Sequence, residues 1–338
     1  MTHSERTGFV SAQQVAERAG VSRSAVSRAF TPGASIAEET RAKVVAAASE
    51  LGYQVNDLAR GLLTKRSRLV GLVATKPEVG FRAHLVAALA KAVIGRGGVP
   101  VLINTGESDH ELAAAQRALF GYRAEATIIL SGSPPASFID LARRNGQSIV
   151  VIGRSEPEAD HVRIDNADAA RTAARLFAAR GLTRLSIVGS QSGTPSIVER
   201  ETAFMEEAAR LGADIAVARG GDTDYAGGLS AARRLFADGS RPQAVFCVND
   251  LIAFGVMDHA RALGLRIPGD LAVIGFDDVP EASWSAFRLT TFRQDPDAIA
   301  ARAMALLDRR RDNPDVPHAR ECLKARLLVR DSFVPRDR

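Results

Sequence analysis

A chain of 338 residues with 46% hydrophobic content is long for one domain and ample for a sizeable core, so two or three folded units are expected. The net charge of +5 is unevenly spread: residues 1–68 carry 10 basic and 6 acidic side chains, and the other 270 residues carry 34 and 33. Excess positive charge confined to one end suits phosphate neutralisation by an N-terminal nucleic-acid-binding segment. Neither a signal-peptide h-region nor an apolar run of bilayer-spanning length is present, so a soluble, cytoplasmic protein with no membrane partner is expected. Cys247 and Cys322 lie far apart in apolar runs and read as buried free thiols of a reducing compartment.

The stretch Val10–Leu62 opens with the pattern of a helix-turn-helix. Ser11 followed by Gln14 is a capping-box start, Gly20 stands where a tight turn needs positive φ, and Ser22 caps a second helix. Val15, Val21 and Val26 are spaced to close a small core, with Ala16 letting the helices cross closely. The outward face of the second helix carries Arg23, Ser24, Ser27 and Arg28, residue types that suit base edges and phosphates in a major groove. Two short surface helices with solvated arginines would share part of this pattern. A third helix is expected from Glu38 to Leu51, ended by Gly52, with Val44, Val45, Ala48 and Leu51 as its apolar stripe.

The run continues through Asn56-Asp57-Leu58-Ala59-Arg60-Gly61-Leu62 into the polar stretch Thr64–Arg68. Taken together, VAERAGVSRSAVSRAF, TRAKV, LGY, NDLARGL and RSRLVGLV resemble the lactose-repressor (LacI) family of bacterial transcription regulators, from Val10 to the end of the chain. The resemblance implies that Arg23, Ser24 and Arg28 read bases while Ser22 and Ser27 contact phosphates, Arg28 having the alternative of a phosphate contact without sequence information. It also implies that Asn56–Leu62 is a hinge helix folding only on operator DNA, since so short a helix cannot stand alone in water. In that reading Asn56 and Arg60 belong to the DNA-binding set. Ala59 lets two hinge helices approach, and Leu62 wedges into a base step from the minor groove. Leu62 packing as a linker residue is the plainer alternative. Three positions depart from the family pattern: Val55 stands where proline is usual, Ala37 where a serine caps the third helix, and Phe30-Thr31-Pro32-Gly33 where an asparagine follows the second helix.

Beyond Arg68, short β-rich runs alternate with longer helical patterns, the signature of parallel sheets with crossover helices. Strands are expected at Leu69–Ala74, Pro100–Asn104, Ala126–Leu130, Ser148–Ile152 and Val162–Asp165. A second set follows at Arg184–Gly189, Asp214–Ala218, Ala244–Val248 and Leu271–Gly275. Helices are expected near 82–96, 109–120, 135–145, 168–180, 197–211, 225–237 and 250–263. The fold class is thus a small all-α helix-turn-helix head and an α/β body of two similar lobes. The family resemblance implies a two-lobed body like the type-1 periplasmic binding proteins, crossed three times, near Asp165–Asp168, Phe292–Pro296 and Lys324. The expected division is a head over 1–55, a hinge and linker over 56–68, and a body over 69–338. The N-lobe would take 69–165 and 296–322, the C-lobe 166–292 and 323–338.

Ligands of open α/β sheets bind beyond the carboxyl ends of the strands. Polar residues there are Thr75, Lys76, Arg154, Asp165, Asn166, Asn249, Asp250, Asp277 and Asp278, with Arg200 one turn into the helix after SQSGTPS. The resemblance ranks VERETAF (Arg200), CVNDLIAFG (Asn249), IGFDD (Asp277) and TTFRQD (Gln294) as ligand-contacting motifs. The ligand-binding set is accordingly Thr75, Lys76, Arg154, Asp165, Arg200, Asn249, Asp277 and Gln294. An arginine, an aspartate and an amide together suit bidentate hydrogen bonding to adjacent hydroxyls or a ring, and the family resemblance places Arg200 and Asp277 with both sugar and purine ligands. Taken singly, Asp277 and Asp278 also read as a turn pair, Asn249 as a helix cap and Arg200 as a surface ion-pair partner. Phe81 and Tyr225 could stack on a ligand, though isolated aromatics usually serve a core.

An enzyme is not expected. Gly189-Ser190-Gln191-Ser192-Gly193 has glutamine where a nucleophile elbow needs serine, and there is no P-loop, dinucleotide fingerprint or metal-spaced His/Cys cluster. No cofactor and no metal are expected. The function implied is a ligand-responsive repressor binding a pseudo-palindromic operator in double-stranded DNA as a homodimer. Lys76 and Arg154 tilt the effector toward a sugar or sugar acid. A purine or nucleoside corepressor and a ligand-independent regulator are the alternatives.

Overall fold

The computed structural model describes residues 9–31, 33–55, 67–105, 108–130, 136–154, 158–237, 239 and 241–335. Contacts divide the chain into two compact units, Met1–Ser67 and Arg68–Arg338. The hinge positions Asn56, Ala59, Arg60 and Leu62 lie outside the described residues.

The first unit has three helices, α1 (Ala12–Ala19), α2 (Arg23–Ala29) and α3 (Glu38–Leu51). Ser11 and Gln14 form the reciprocal capping box, and Gly20 adopts φ 67° to end α1. Ser22 accepts from the Ala25 N–H and starts α2. Val15, Ala16, Val26, Ala29, Val44, Ala47 and Ala48 form the buried centre, with Val21 and Leu51 packed at its edge. The expected stripe of α3 is corrected at one position: Val45 is exposed and Ala47 faces inward, because Val44, Ala47 and Ala48 form the side that packs on Val15, Ala16 and Val26.

The second unit holds two six-stranded sheets built to one plan. The first half supplies β1 (Leu69–Ala74), α4 (Phe81–Gly95), β2 (Val99–Asn104), α5 (Asp109–Gly121), β3 (Ala126–Leu130), α6 (Ala136–Arg144), β4 (Ser148–Ile152) and β5 (Asp160–Ile164). The second half repeats the alternation with α7 (Asn166–Ala179), β6 (Arg184–Ser190), α8 (Pro195–Arg210), β7 (Asp214–Gly220), α9 (Tyr225–Leu235), β8 (Ala244–Cys247), α10 (Asp250–Ala262), β9 (Ala272–Asp277) and β10 (Thr290–Arg293). The tail returns to both sheets through α11 (Pro296–Asp312), β11 (Arg320–Leu323) and β12 (Arg326–Leu328), elements that apolar periodicity did not mark. Sheet orders are β11-β5-β4-β3-β1-β2 and β12-β10-β9-β8-β6-β7, parallel throughout except for β10 with β12. The chain passes between sheets after β5, after β10 and between β11 and β12.

Central strands such as β1, β3 and β9 are buried along their whole length, which is why they read as unbroken apolar runs. Aromatic rings fill the second sheet's core: Phe177 meets Phe204 and Phe333 edge-on, and Phe246 bridges Phe204 and Phe292. Helices α9 and α10 touch backbone to backbone at two glycines. A Cβ on Gly228 would stand 2.3 Å from the Ile252 carbonyl oxygen, and one on Gly255 2.4 Å from that of Tyr225. Cys247 is buried as expected, but Cys322 is exposed, because β11 is an edge strand and alternation turns that side chain outward. Among the described residues no helix is long and apolar enough to cross a membrane.

Ala37 occupies the N-cap of α3 with extended φ and ψ but offers no side-chain cap. Ala37→Ser is therefore expected to stabilise the three-helix unit by about 0.5–1 kcal/mol, read as a higher midpoint in its thermal unfolding.

Candidate functional site

On α2 the buried residues Ala25, Val26 and Ala29 fix the helix, which leaves Arg23, Ser24, Ser27 and Arg28 together on the exposed face with Ser22 at its start. The face is ordered by its own hydrogen bonds. Ser22 and Ser24 hydroxyls lie 2.9 Å apart, Arg28 Nε reaches back to the Ser24 carbonyl at 3.4 Å, and Arg41 secures the following turn through the Ala29 and Ala34 carbonyls. No acidic side chain lies on this α2 face, so it presents two cations and three hydroxyls to whatever meets it.

In the second unit a half-open cavity of about 820 Å³, counting its mouth, lies at the carboxyl ends of the strands of both sheets. The wall from the first sheet is apolar, with Leu85, Leu130, Ile152, Ile164 and Phe81, and among its described residues Arg82 is the one charged side chain. The wall from the second sheet is polar and includes Asn166, Arg200, Asn249, Asp277 and Gln294.

Arg200 is the centre of that wall. It enters from α8 and is 4% exposed, with its guanidinium carbon 3.4 Å from the centroid of the Phe276 ring. Nε donates to Asn166 Oδ1 at 2.8 Å and Nη1 to the Val248 carbonyl at 2.6 Å. Burial lowers its pKa to about 10, opposed by the nearby Asp277, so it stays charged at neutral pH. Asp277 ends β9 with φ 122°, a backbone position that L-residues rarely hold. Its Oδ1 accepts from Gln294 Nε2 at 2.5 Å and lies 4.0 Å from Arg200 Nη1. Among the described residues nothing pairs with Arg200 Nη2 or Asp277 Oδ2, and both side chains line the cavity. Asn249 lines the cavity too, but both ends of its amide are in use. It caps α10 by accepting from the Ile252 N–H at 2.9 Å, and it donates to the Thr223 carbonyl at 2.8 Å.

Four expected ligand residues lie off the cavity wall. Thr75 pairs its hydroxyl with that of Thr105, 2.7 Å away. Lys76, turned by a positive φ of 49°, spans from one lobe to the other and meets Asp222 at 2.8 Å. Asp165 turns back to cap α7 by accepting from the Asp168 N–H at 3.1 Å. Arg154 follows Gly153, and it is Gly153 that reaches the wall. Tyr225 donates to Asp258 instead of stacking in the cavity, whereas Phe81 does line it. Asn166 is among the strand-end polar residues but outside the family motifs, and it is a wall residue. Arg82 escaped the strand-end rule because it sits one turn further, inside α4. A basic residue opening a helix with no acidic partner in its first turn was the available signal.

Asp250, fully buried beneath this wall, accepts from the Val279 N–H and the Thr291 hydroxyl at 2.9 and 2.6 Å, and burial pushes its carboxyl well up. Among the described residues no group of three or more His, Cys, Asp or Glu is arranged to hold a metal ion.

The described geometry has known counterparts. A model for "Bacterial regulatory proteins, lacI family" matches residues 12–56, and one for "Periplasmic binding protein-like domain" matches 174–333. The HTH-type transcriptional repressor PurR of Pectobacterium carotovorum is 30% identical over 337 residues, covering 94% of this chain and 96% of the relative. The lac repressor dimer bound to operator and the anti-inducer ONPF superposes with a TM-score of 0.85 at 24% identity, over 96% of this chain and 99% of that one. A complex of the transcriptional regulator CelR with cellobiose gives a TM-score of 0.72 at 26% identity, over 96% and 100%.

Burial raises the Asp277 carboxyl to about 6, against the attraction of Arg200. The folded chain therefore keeps this proton to higher pH than the unfolded chain, so Asp277 makes stability fall as pH rises between about 4 and 6, with no further loss above. In chemical unfolding, Asp277→Asn should gain stability relative to wild type on going from about pH 4.5 to pH 7.

Proposed function

Because the chain belongs to the lacI family of bacterial regulatory proteins, we propose that it represses transcription as a homodimer on a pseudo-palindromic operator, under control of a sugar or sugar-derived effector bound in the interlobe cavity. In this reading Arg23, Ser24 and Arg28 read base edges, and Ser22 and Ser27 hold phosphates. Two-fold symmetry of the protein then gives two half-sites. The stretch 56–68, with Asn56, Ala59, Arg60 and Leu62, couples the body to the operator. An effector that prefers one arrangement of the lobes changes the separation of the two linkers, and with it the affinity for DNA.

The observation that carries the effector reading is the pair Arg200 and Asp277, one offering a spare donor and the other a spare acceptor on the same wall. Adjacent hydroxyls of a sugar donate and accept in just that way. Leu85, Ile152 and Ile164 opposite suit the apolar face of a pyranose. The similar CelR structure holds cellobiose. A purine or nucleoside corepressor is the second reading, favoured by the similarity to PurR repressors. Against it, Phe81 is the one aromatic among the described lining residues, and the face of Phe276 is taken by Arg200, so no pair of described rings is placed to sandwich a base.

Operator sequences are to be selected from random duplex DNA by the full chain. Arg23→Ala should then weaken binding about tenfold or more to the selected site but much less to random DNA. In a thermal-shift series with sugars and purines, Arg200→Ala should abolish the ligand-dependent rise. Stabilisation by purines alone would end the sugar reading.

A further inference from the structure

Among the described residues the cavity lining contains three charged side chains, Arg82, Arg200 and Asp277. Arg200 and Asp277 offset each other 4.0 Å apart, so Arg82 is the surplus. Arg82 donates to no described residue and makes no ion pair with one. Lys76, the neighbouring cation, is already matched by Asp222. Arg82 acts on Asp222 and Asp277 only through its field, which favours their charged forms.

Its position makes the surplus costly. Arg82 lies in the first turn of α4, a helix of 15 residues that has no acidic side chain in that turn and a glycine, Gly80, as its N-cap. A helix N-terminus carries partial positive charge, which disfavours a cation and favours an anion. Around it the wall is apolar, with Leu85, Leu130 and Ile152, so the guanidinium faces a cavity whose near side screens it poorly. An ordinary structural arginine would have gained an acidic partner or moved to the surface. Among the described residues Arg82 has no partner, and it is only partly exposed.

We infer that Arg82 is the anion-binding residue of the effector cavity, and that the effector is a hydroxylated carbon skeleton bearing one carboxylate or phosphate rather than a neutral sugar. The inference rests on the sugar-derived reading above. Arg200, Asp277 and Gln294 take the hydroxyls on one wall, and the Arg82 fork takes two oxygens of the acid on the other. One ligand thereby bridges both lobes. The expected tilt toward a sugar acid is kept, but its residues change. Lys76 is matched by Asp222 and Arg154 lies off the wall, so Arg82 carries the selectivity.

The test uses the full chain in calorimetric titrations with matched sets: glucose, glucuronate and glucose 6-phosphate, then galactose, galacturonate and galactose 6-phosphate. At least one charged member should bind about tenfold or more tightly than its neutral parent. The carboxylate and phosphate arms separate the two sources of the anion. Arg82→Gln should bring charged and neutral members within about threefold of each other, while Arg82→Lys keeps part of the preference. The ligand-free melting of both variants serves as the control for folding. Neutral sugars binding wild type as tightly as the acids would overturn the inference and leave the sugar reading standing. An equal loss of charged and neutral members in Arg82→Gln would do the same. Binding by no member of either set would overturn both.

Discussion

A buried guanidinium is the constraint on which the C-terminal lobe is arranged. Arg200 has left water, so its charge must be compensated by the protein at every face. Asn166 meets it from the start of α7, the Val248 carbonyl from the end of β8, the Phe276 ring from β9, and Asp277 from the same strand end. Val248, Phe276 and Asp277 stand at the carboxyl ends of the neighbouring parallel strands β8 and β9, and Asn166 arrives from the passage that follows β5 in the other sheet. The arginine is thus a product of the topology, and Asp277 meets it from a backbone position of unusual φ. Gln294, at the second passage between lobes, is drawn into the same network through Asp277.

The two walls of the cavity divide the chemistry of recognition between them. The C-lobe wall is a hydrogen-bonding surface whose amides are largely committed to each other, so few atoms are left for a ligand and their directions are fixed. The described residues of the N-lobe wall supply contact area and the charge of Arg82. A ligand held by both walls draws the lobes together, and the Lys76–Asp222 ion pair spans the same gap beside it. That pair is more than a third exposed on both sides, so screening keeps it weak next to the buried set.

Much of the fold was legible because its strands are long apolar runs buried on both faces. Most boundaries of β1 through β9 fall within two residues of the runs read from the sequence. What was missed lies at the C-terminal end. Strands β10 to β12 are three or four residues long, and β11 and β12 are rich in charge, so neither run length nor alternation marked them. The site was legible to the level of strand ends. Beyond that, direction decides: Asp165 and Asn166 are neighbours, yet one turns back to cap a helix and the other turns into the cavity. Sequence spacing carries no information on that choice, and Lys76 shows the same limit by reaching across to Asp222. The α2 face was fully legible, because a helix only seven residues long with three buried positions leaves a single outward side.

Strands β11 and β12 complete the outer edge of each sheet, and Phe333 plugs the aromatic core of the second. During synthesis neither sheet is complete until these last segments have left the ribosome, whereas the three-helix head lies within about the first fifty residues. A premature stop shortly before β11 would therefore release a folded head attached to a body with two raw sheet edges. Such a product combines an intact three-helix head with a body open to edge-to-edge association.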